Sequence, residues 1–325
     1  MVTYLIRRVA WLIPVLFVVS VITFGLMHAV PGGPWSGERN VSAGVQQNIN
    51  KKFRLDLPIQ DQYIDWVGDL LHGDLGPTFK YRDRSVNDVV AEGFPITLQL
   101  GLMAFIVAVA FGIPLGIIAA LGHNRWPDYL ATAVSLIGIA TPSFVLAIIL
   151  VVVFSVWLRW LPGVGDGWKG TLFSDAGREA LLKDPVASVR TWVLPVVALA
   201  GYQIAQIARY TRASMLEVTR KDYVRTAQSK GIRHRAVVVR HMIRNALIPV
   251  VTILGPILAF LITGSFVIEY FFGVPGIGRY YVVGIGQRDY GLIMAMTVLY
   301  AFAVAFLNVV VDVLYAYIDP RIRYN

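Results

Sequence analysis

Long apolar runs alternate with polar segments along the whole chain. They fall near residues 9–30, 96–121, 129–157, 192–208, 246–268 and 291–317, and several exceed the ~18 residues that mark a bilayer-crossing helix. The pattern predicts an all-α polytopic membrane protein with six transmembrane helices. Inside the polar segment 31–95, Tyr63, Ile64, Val67, Leu70 and Leu71 share one helical face over residues 60–71, with Trp66 beside them. A helix lying on the membrane surface and a small packed cap over the spans fit that face equally well. Gly73, Gly76 and Pro77 then end it. Residues 174–182 predict a second short helix, stopped by Asp184-Pro185.

The first run follows Arg7 and Arg8 and is too long for the 7–15-residue apolar core of a signal peptide, so it reads as a retained span. In the second run, Gly112 and Gly116 form a GxxxG, which permits close helix approach but is common by chance. A short turn at 123–128 makes the second and third spans antiparallel neighbours. Thr141-Pro142-Ser143 predicts a kink in the third span. Trp157 and Trp160 sit where interfacial aromatics belong.

Composition supports the membrane reading, because 56% hydrophobic and 15% charged residues are too apolar a mix for an ordinary soluble domain. The net charge of +9 raises nucleic acid, and its distribution answers. With the N-terminus in the cytoplasm, the inner segments carry fifteen basic residues against four acidic ones, and the outer segments carry fourteen of each. Short inner segments rich in Lys and Arg orient membrane proteins. Topology explains the basicity, and no nucleic-acid partner is expected. The chain has no cysteine, which excludes disulfides and thiolate metal sites.

Ten of the basic residues lie between Arg209 and Arg244, against only Glu217 and Asp222. Val218, Tyr223, Ala227, Ile232, Val237 and Val238 interleave with them over residues 217–249, a pattern of short helices with one apolar face. Such a loop between spans calls for a partner.

No GxxxxGK[ST] and no Gly-Lys pair occur anywhere, nor HExxH or GxSxG. No catalytic residue and no metal site are expected. A proton-coupled secondary transporter is the rival class, and it needs ionisable residues within the spans. Asp312 is the candidate, roughly 10 Å from the inner boundary at the helical rise, where an inward-side arginine can pair with it structurally. Gln203 and Gln206 lie three apart on one face of the fourth span, either lining a polar path or hydrogen-bonding between helices.

Short segments along the whole length resemble the permease subunits of the dipeptide/oligopeptide ABC importer family, the "B" type of its two paired permeases. Tyr4-Leu5-Ile6-Arg7-Arg8 before Ile13-Pro14-Val15-Leu16 is similar to the family's opening, and Val30-Pro31-Gly32-Gly33-Pro34 to its VPGDP, with Gly33 in place of Asp. Leu71-His72-Gly73-Asp74-Leu75-Gly76, Pro275-Gly276-Ile277-Gly278-Arg279, Arg288-Asp289-Tyr290 and the ending from Asp312-Val313-Leu314-Tyr315 to Asp319-Pro320-Arg321-Ile322-Arg323-Tyr324 also match. Gly231 takes the glycine of the general permease signature, placing Arg225-Thr226-Ala227 in its EAA slot and His241-Met242-Ile243-Arg244 in its I-x-L-P slot, where the proline is missing.

The resemblance implies a type I ABC importer permease fold. A first part, 1–95, holds one transmembrane helix and an extracytoplasmic segment; 96–325 is a five-helix core with a coupling loop at 209–245. Residues 222–230 become the coupling helix, with Asp222, Tyr223, Arg225, Thr226, Ala227 and Lys230 toward an ATPase, Tyr223 and Ala227 on one face, and Gly231 ending it in a left-handed conformation. Pro275, Gly276, Gly278 and Arg279 are the extracytoplasmic gate candidates. Implied partners are a second homologous permease, two ATP-binding subunits that hold ATP and Mg, an extracytoplasmic substrate-binding protein and the lipid bilayer. The implied location is the cytoplasmic membrane of a prokaryote, with both termini inside. Peptide is the expected substrate, and nickel, haem and oligosaccharide are the alternatives.

Overall fold

A computed structural model describes residues 2–30, 50–51, 54–81, 84–164, 168–263 and 266–318, with backbone only at 2–5 and 312–318. Its elements, in order, are α1 (Val2–Ala29), α2 (Ile59–Leu71), α3 (Val86–Leu121), α4 (Trp126–Ala140), α5 (Ser143–Leu150), α6 (Asp175–Lys183), α7 (Pro185–Thr219), α8 (Asp222–Ser229), α9 (His234–Val237), α10 (Arg244–Ile262), α11 (Phe266–Phe272), α12 (Ile277–Gln287) and α13 (Tyr290–Ile318). π-helical turns at Val151–Trp157 and Val238–Ile243 extend α5 and join α9 to α10. Apart from one isolated bridge between Pro77 and Ser85, no extended pairing occurs among the described residues.

Among the described residues, five helices are long and apolar enough to cross a membrane: α1, α3, α7, the continuous α9–α10 rod and α13. The sixth span is available only if α4 and α5 are taken together, and they are bent by 109°. The kink expected at Thr141-Pro142-Ser143 is therefore a full break. Pro142 has no N–H to return to the carbonyl of Gly138, and it stands as the residue before α5, where proline is tolerated. The span expected over 246–268 also needs correcting. Its helix ends at Ile262, and 269–290 contains the end of α11 and all of α12.

Chain contacts group residues 1–95 with 275–325, and residues 96–274 separately. In the first group α1 lies along α13. The short α2 seats Tyr63 and Trp66 on Phe24 of α1, with ring centroids 5.2 and 5.9 Å away, and the Tyr63 hydroxyl is 2.8 Å from that of Ser20. Of the face expected from the sequence, Tyr63 packs on α1 with its neighbour Trp66, whereas Ile64 and Leu71 remain exposed. At its end the Gly73 N–H donates to Leu70 and the Asp74 N–H to Asp69, with Gly73 at φ +81°. That is the Schellman arrangement, which satisfies two terminal carbonyls.

In the second group α7 is central, packing against α4, α5 and α10. Small residues set the distance. A Cβ on Gly112 would lie 2.8 Å from Ile207, and one on Gly116 would lie 2.5 Å from the Ala208 carbonyl. The GxxxG of α3 is thus a close contact with α7. Ser174 caps α6 by accepting from the Gly177 N–H, and Asp184 caps α7 by accepting from Ala187, with Pro185 at its first position.

Candidate functional site

Between the end of α7 and the start of α10 the basic loop folds into a bracket. The short α8 begins with Asp222, an acid in the first turn where the helix dipole favours it. Its inward residues, Val224 and Ala227, are buried with Met215 and Val218 of α7, Val237, Val238 and Met242 beyond it, and Ala246 of α10. The Ser214 hydroxyl donates to the Ala246 carbonyl at 2.7 Å and ties the two flanking helices beneath α8. Burying a few aliphatic side chains, each contributing roughly 1.5–3 kcal/mol, holds so short a helix in place, because its own hydrogen bonds do not.

The expected pairing of Tyr223 with Ala227 on a single outward face needs correcting. Ala227 is turned into the apolar cluster, whereas Tyr223 is 42% exposed beside Asp222, Arg225, Thr226 and Lys230. The register of burial is i, i+3, from Val224 to Ala227. Thr226 and Ser229 donate their hydroxyls back to the carbonyls of Asp222 and Arg225, so the outer face is presented mainly by Tyr223, Arg225 and Lys230. Lys221 pairs with Glu217 at 2.9 Å, one turn away, and that carboxylate raises the lysine pKa.

Gly231 ends the helix as expected, at φ +73°. Its N–H donates to Gln228 and that of Ile232 to Ala227, a second Schellman end. A Cβ there would meet nothing within 4 Å, so backbone conformation, not space, requires glycine.

One pair escaped the sequence reading. Asp128, at the start of α4, is buried and accepts from Nε and Nη2 of Arg212 in α7 at 2.5 and 2.8 Å. His123 Nδ1, the Asn124 N–H and the Thr132 hydroxyl complete its shell at 3.2, 3.0 and 3.4 Å. The bridge pins the 122–128 turn to α7 two turns before the bracket. The available sequence signal was a lone acid in the short inner turn that also carries His123 and Arg125.

Gln203 and Gln206 line one cleft together with Thr141, Pro142 and Ser143, so the structure brings the polar pair to the helix break. The gate candidates belong to the 275–325 segment. Gly276 precedes α12 in an extended conformation, Gly276 and Gly278 are buried, and Arg279 is exposed. A Cβ on Gly93 would lie 3.0 Å from Ile277, so this turn packs tightly on the start of α3. Asp312 falls within α13, and its side chain lies outside the described residues, as do Gly33 and the tail from Asp319. Among the described residues no cluster of three His, Asp or Glu could hold a metal.

Comparison with known proteins places this geometry. Residues 112–324 match the model of the binding-protein-dependent transport system inner membrane component, and residues 1–101 match that of its N-terminal region. The chain is 43% identical over 324 residues to the oligopeptide transport system permease protein OppB of Escherichia coli K12, with all of both chains covered. It is 40% identical to the dipeptide transport system permease protein DppB of Bacillus subtilis, covering 99% of this chain and 98% of that one. Identity is also 40% to the glutathione transport system permease protein GsiC of Escherichia coli O6:H1, over the full length of both. A crystal structure of an amino acid ABC transporter with histidines superposes at a TM-score of 0.51, with 14% identity, over 71% of this chain and 94% of that one, and so supports the fold. The chain belongs to the family of binding-protein-dependent transport system inner membrane components.

Proposed function

We propose that this chain is the B-type permease subunit of an ATP-driven importer that passes di- and oligopeptides across the cytoplasmic membrane. Full-length identity of 40–43% to permeases named for oligopeptide, dipeptide and glutathione transport supports peptide over nickel, haem or oligosaccharide. It also sets aside the proton-coupled alternative. The observation that carries the role is the bracket. Its buried Val224 and Ala227 root α8 in the permease, and its charged outer face is left for another protein. That protein is an ATP-binding subunit, which holds ATP and Mg. Two such subunits, a second permease and an extracytoplasmic binding protein complete the complex, with both termini of this chain inside. ATP-driven closure pushes on Tyr223, Arg225 and Lys230, and the rooted helix passes the displacement to α7 and α10.

Replacing Gly231 by valine tests this. A β-branched residue at φ +73° unwinds the helix end at a cost above the ~1–2 kcal/mol of an ordinary left-handed residue, without touching a neighbour. In the reconstituted complex, ATP hydrolysis should lose its stimulation by loaded binding protein while the subunits still assemble. Unchanged stimulated hydrolysis and uptake would sink the assignment.

A further inference from the structure

The cleft at the break between α4 and α5 is not used by the coupling bracket. It has a volume of about 600 Å³ and is lined from four helices, and none of its lining residues is charged. Its polar groups are those of Thr141, Ser143, Tyr202, Gln203 and Gln206. Gln203 is only 4% exposed, yet its Oε1 has no hydrogen-bond partner. A buried amide oxygen without a donor is costly, and a glutamine serving only as glue between helices would have found one. Proline stands on two walls, Pro142 at the break and Pro256 within α10. Each removes a backbone donor within a candidate membrane-crossing element. Interrupted backbone at membrane depth is tolerated where it is buried in protein or lines an aqueous cavity.

We propose that this cleft is a station on the solute path that takes an uncharged main-chain amide, with Gln203 and Gln206 as its hydrogen-bonding residues. The inference rests on the peptide-importer reading. A primary amide both donates and accepts, which matches the N–H and C=O of a peptide bond. Two of them three residues apart on α7 stand about 5–6 Å from each other, within reach of successive peptide units. With no fixed charge in the lining, the station has no preference for acidic or basic side chains. It holds what all peptides share. The volume lies within the range of small-ligand sites, roughly 300–1,000 Å³, and suits a short peptide segment.

The chain has no cysteine, so Gln203→Cys and Gln206→Cys each introduce the only thiol of this subunit. In the complete complex, reconstituted in vesicles and turning over ATP, both thiols should react with a small polar maleimide. Binding protein loaded with trialanine should slow that reaction at least about threefold relative to unloaded binding protein. A thiol placed instead at buried Val196 in the same helix should stay unreactive. Gln203→Leu should lower trialanine import about tenfold, and where that variant fails to assemble, the labelling decides. Thiols that stay unreactive, or react equally with and without peptide, overturn the station, and so does unchanged import by Gln203→Leu. If the unaltered complex imports no peptide at all, the peptide reading falls and the station with it.

Discussion

Asp128 and Asp289 are both buried carboxylates at helix starts, and they are satisfied by opposite means. Asp128 meets a cation, the fork of Arg212, with a turn N–H, an imidazole and a hydroxyl around it. Asp289 meets backbone. It accepts from the N–H groups of Phe79 and Lys80 at 3.0 and 3.3 Å and from Leu292 at 3.2 Å, so it caps α13 and clamps the loop before α3 at once. A bidentate ion pair fixes two side chains to each other and depends on both charges. A carboxylate held by amides fixes chain to chain, and burial raises its pKa despite those donors. The first device suits the turn beside the basic bracket, and the second closes a loop.

The largest effect expected from breaking this contrast is at Arg212. Arg212→Met leaves Asp128 charged and buried, which costs about 3–5 kcal/mol, whereas the double change Asp128→Leu with Arg212→Met restores most of the loss. Melting of the purified complex in detergent measures both. A single variant as stable as the parent would show that the pair is solvated and carries no structural load.

This ion pair also marks where the sequence stops being readable. Periodicity and local turn chemistry report on one helix at a time, so they gave the apolar runs of the candidate spans, the short helices near 60–71 and 174–182 and the glycine end at Gly73. The resemblance to the permease signature, not periodicity, put a helix at 222–230 ended by Gly231, within a residue of α8. The resolution of periodicity failed at the choice between Tyr223 and Val224, because both are apolar and which one turns inward is decided by Met215 and Met242, distant in the chain. The 109° break at Pro142 read as a kink for the same reason: proline removes the bond, but neighbouring helices set the angle. Asp128 and Arg212 are 84 residues apart, and no local rule joins them. Gln203 was visible as a polar residue in a span, but its unpartnered oxygen and the cleft beside it required coordinates.

A smaller loss is expected at the second carboxylate. Asp289→Leu strips the acceptor from three backbone donors and should cost about 2 kcal/mol, since a donor left unsatisfied typically costs 1–3 and the loop can reach water. Asp289→Asn keeps one acceptor oxygen and should cost about half of that. Proteolysis within residues 72–81 is the direct readout, with Leu cleaved faster than Asn and Asn faster than the parent. Equal cleavage in all three would separate the clamp from the cap.

The subtlest expectation concerns pH and has opposite sign from the usual carboxylate. Because burial raises the Asp289 pKa above its ordinary value, the folded form binds its proton more tightly than the unfolded chain does. The stability it contributes is therefore full below the ordinary carboxylate pKa, about 3.9, and is lost as pH rises from there through the folded value. Lys80 and the three amides oppose the shift without reversing it. Asp289→Asn cannot titrate, so the melting-temperature difference between parent and variant should shrink as pH rises from about 4. Growth of that difference instead would mean that the amides outweigh burial and that the carboxylate is held charged, which would make Asp289 resemble Asp128 after all.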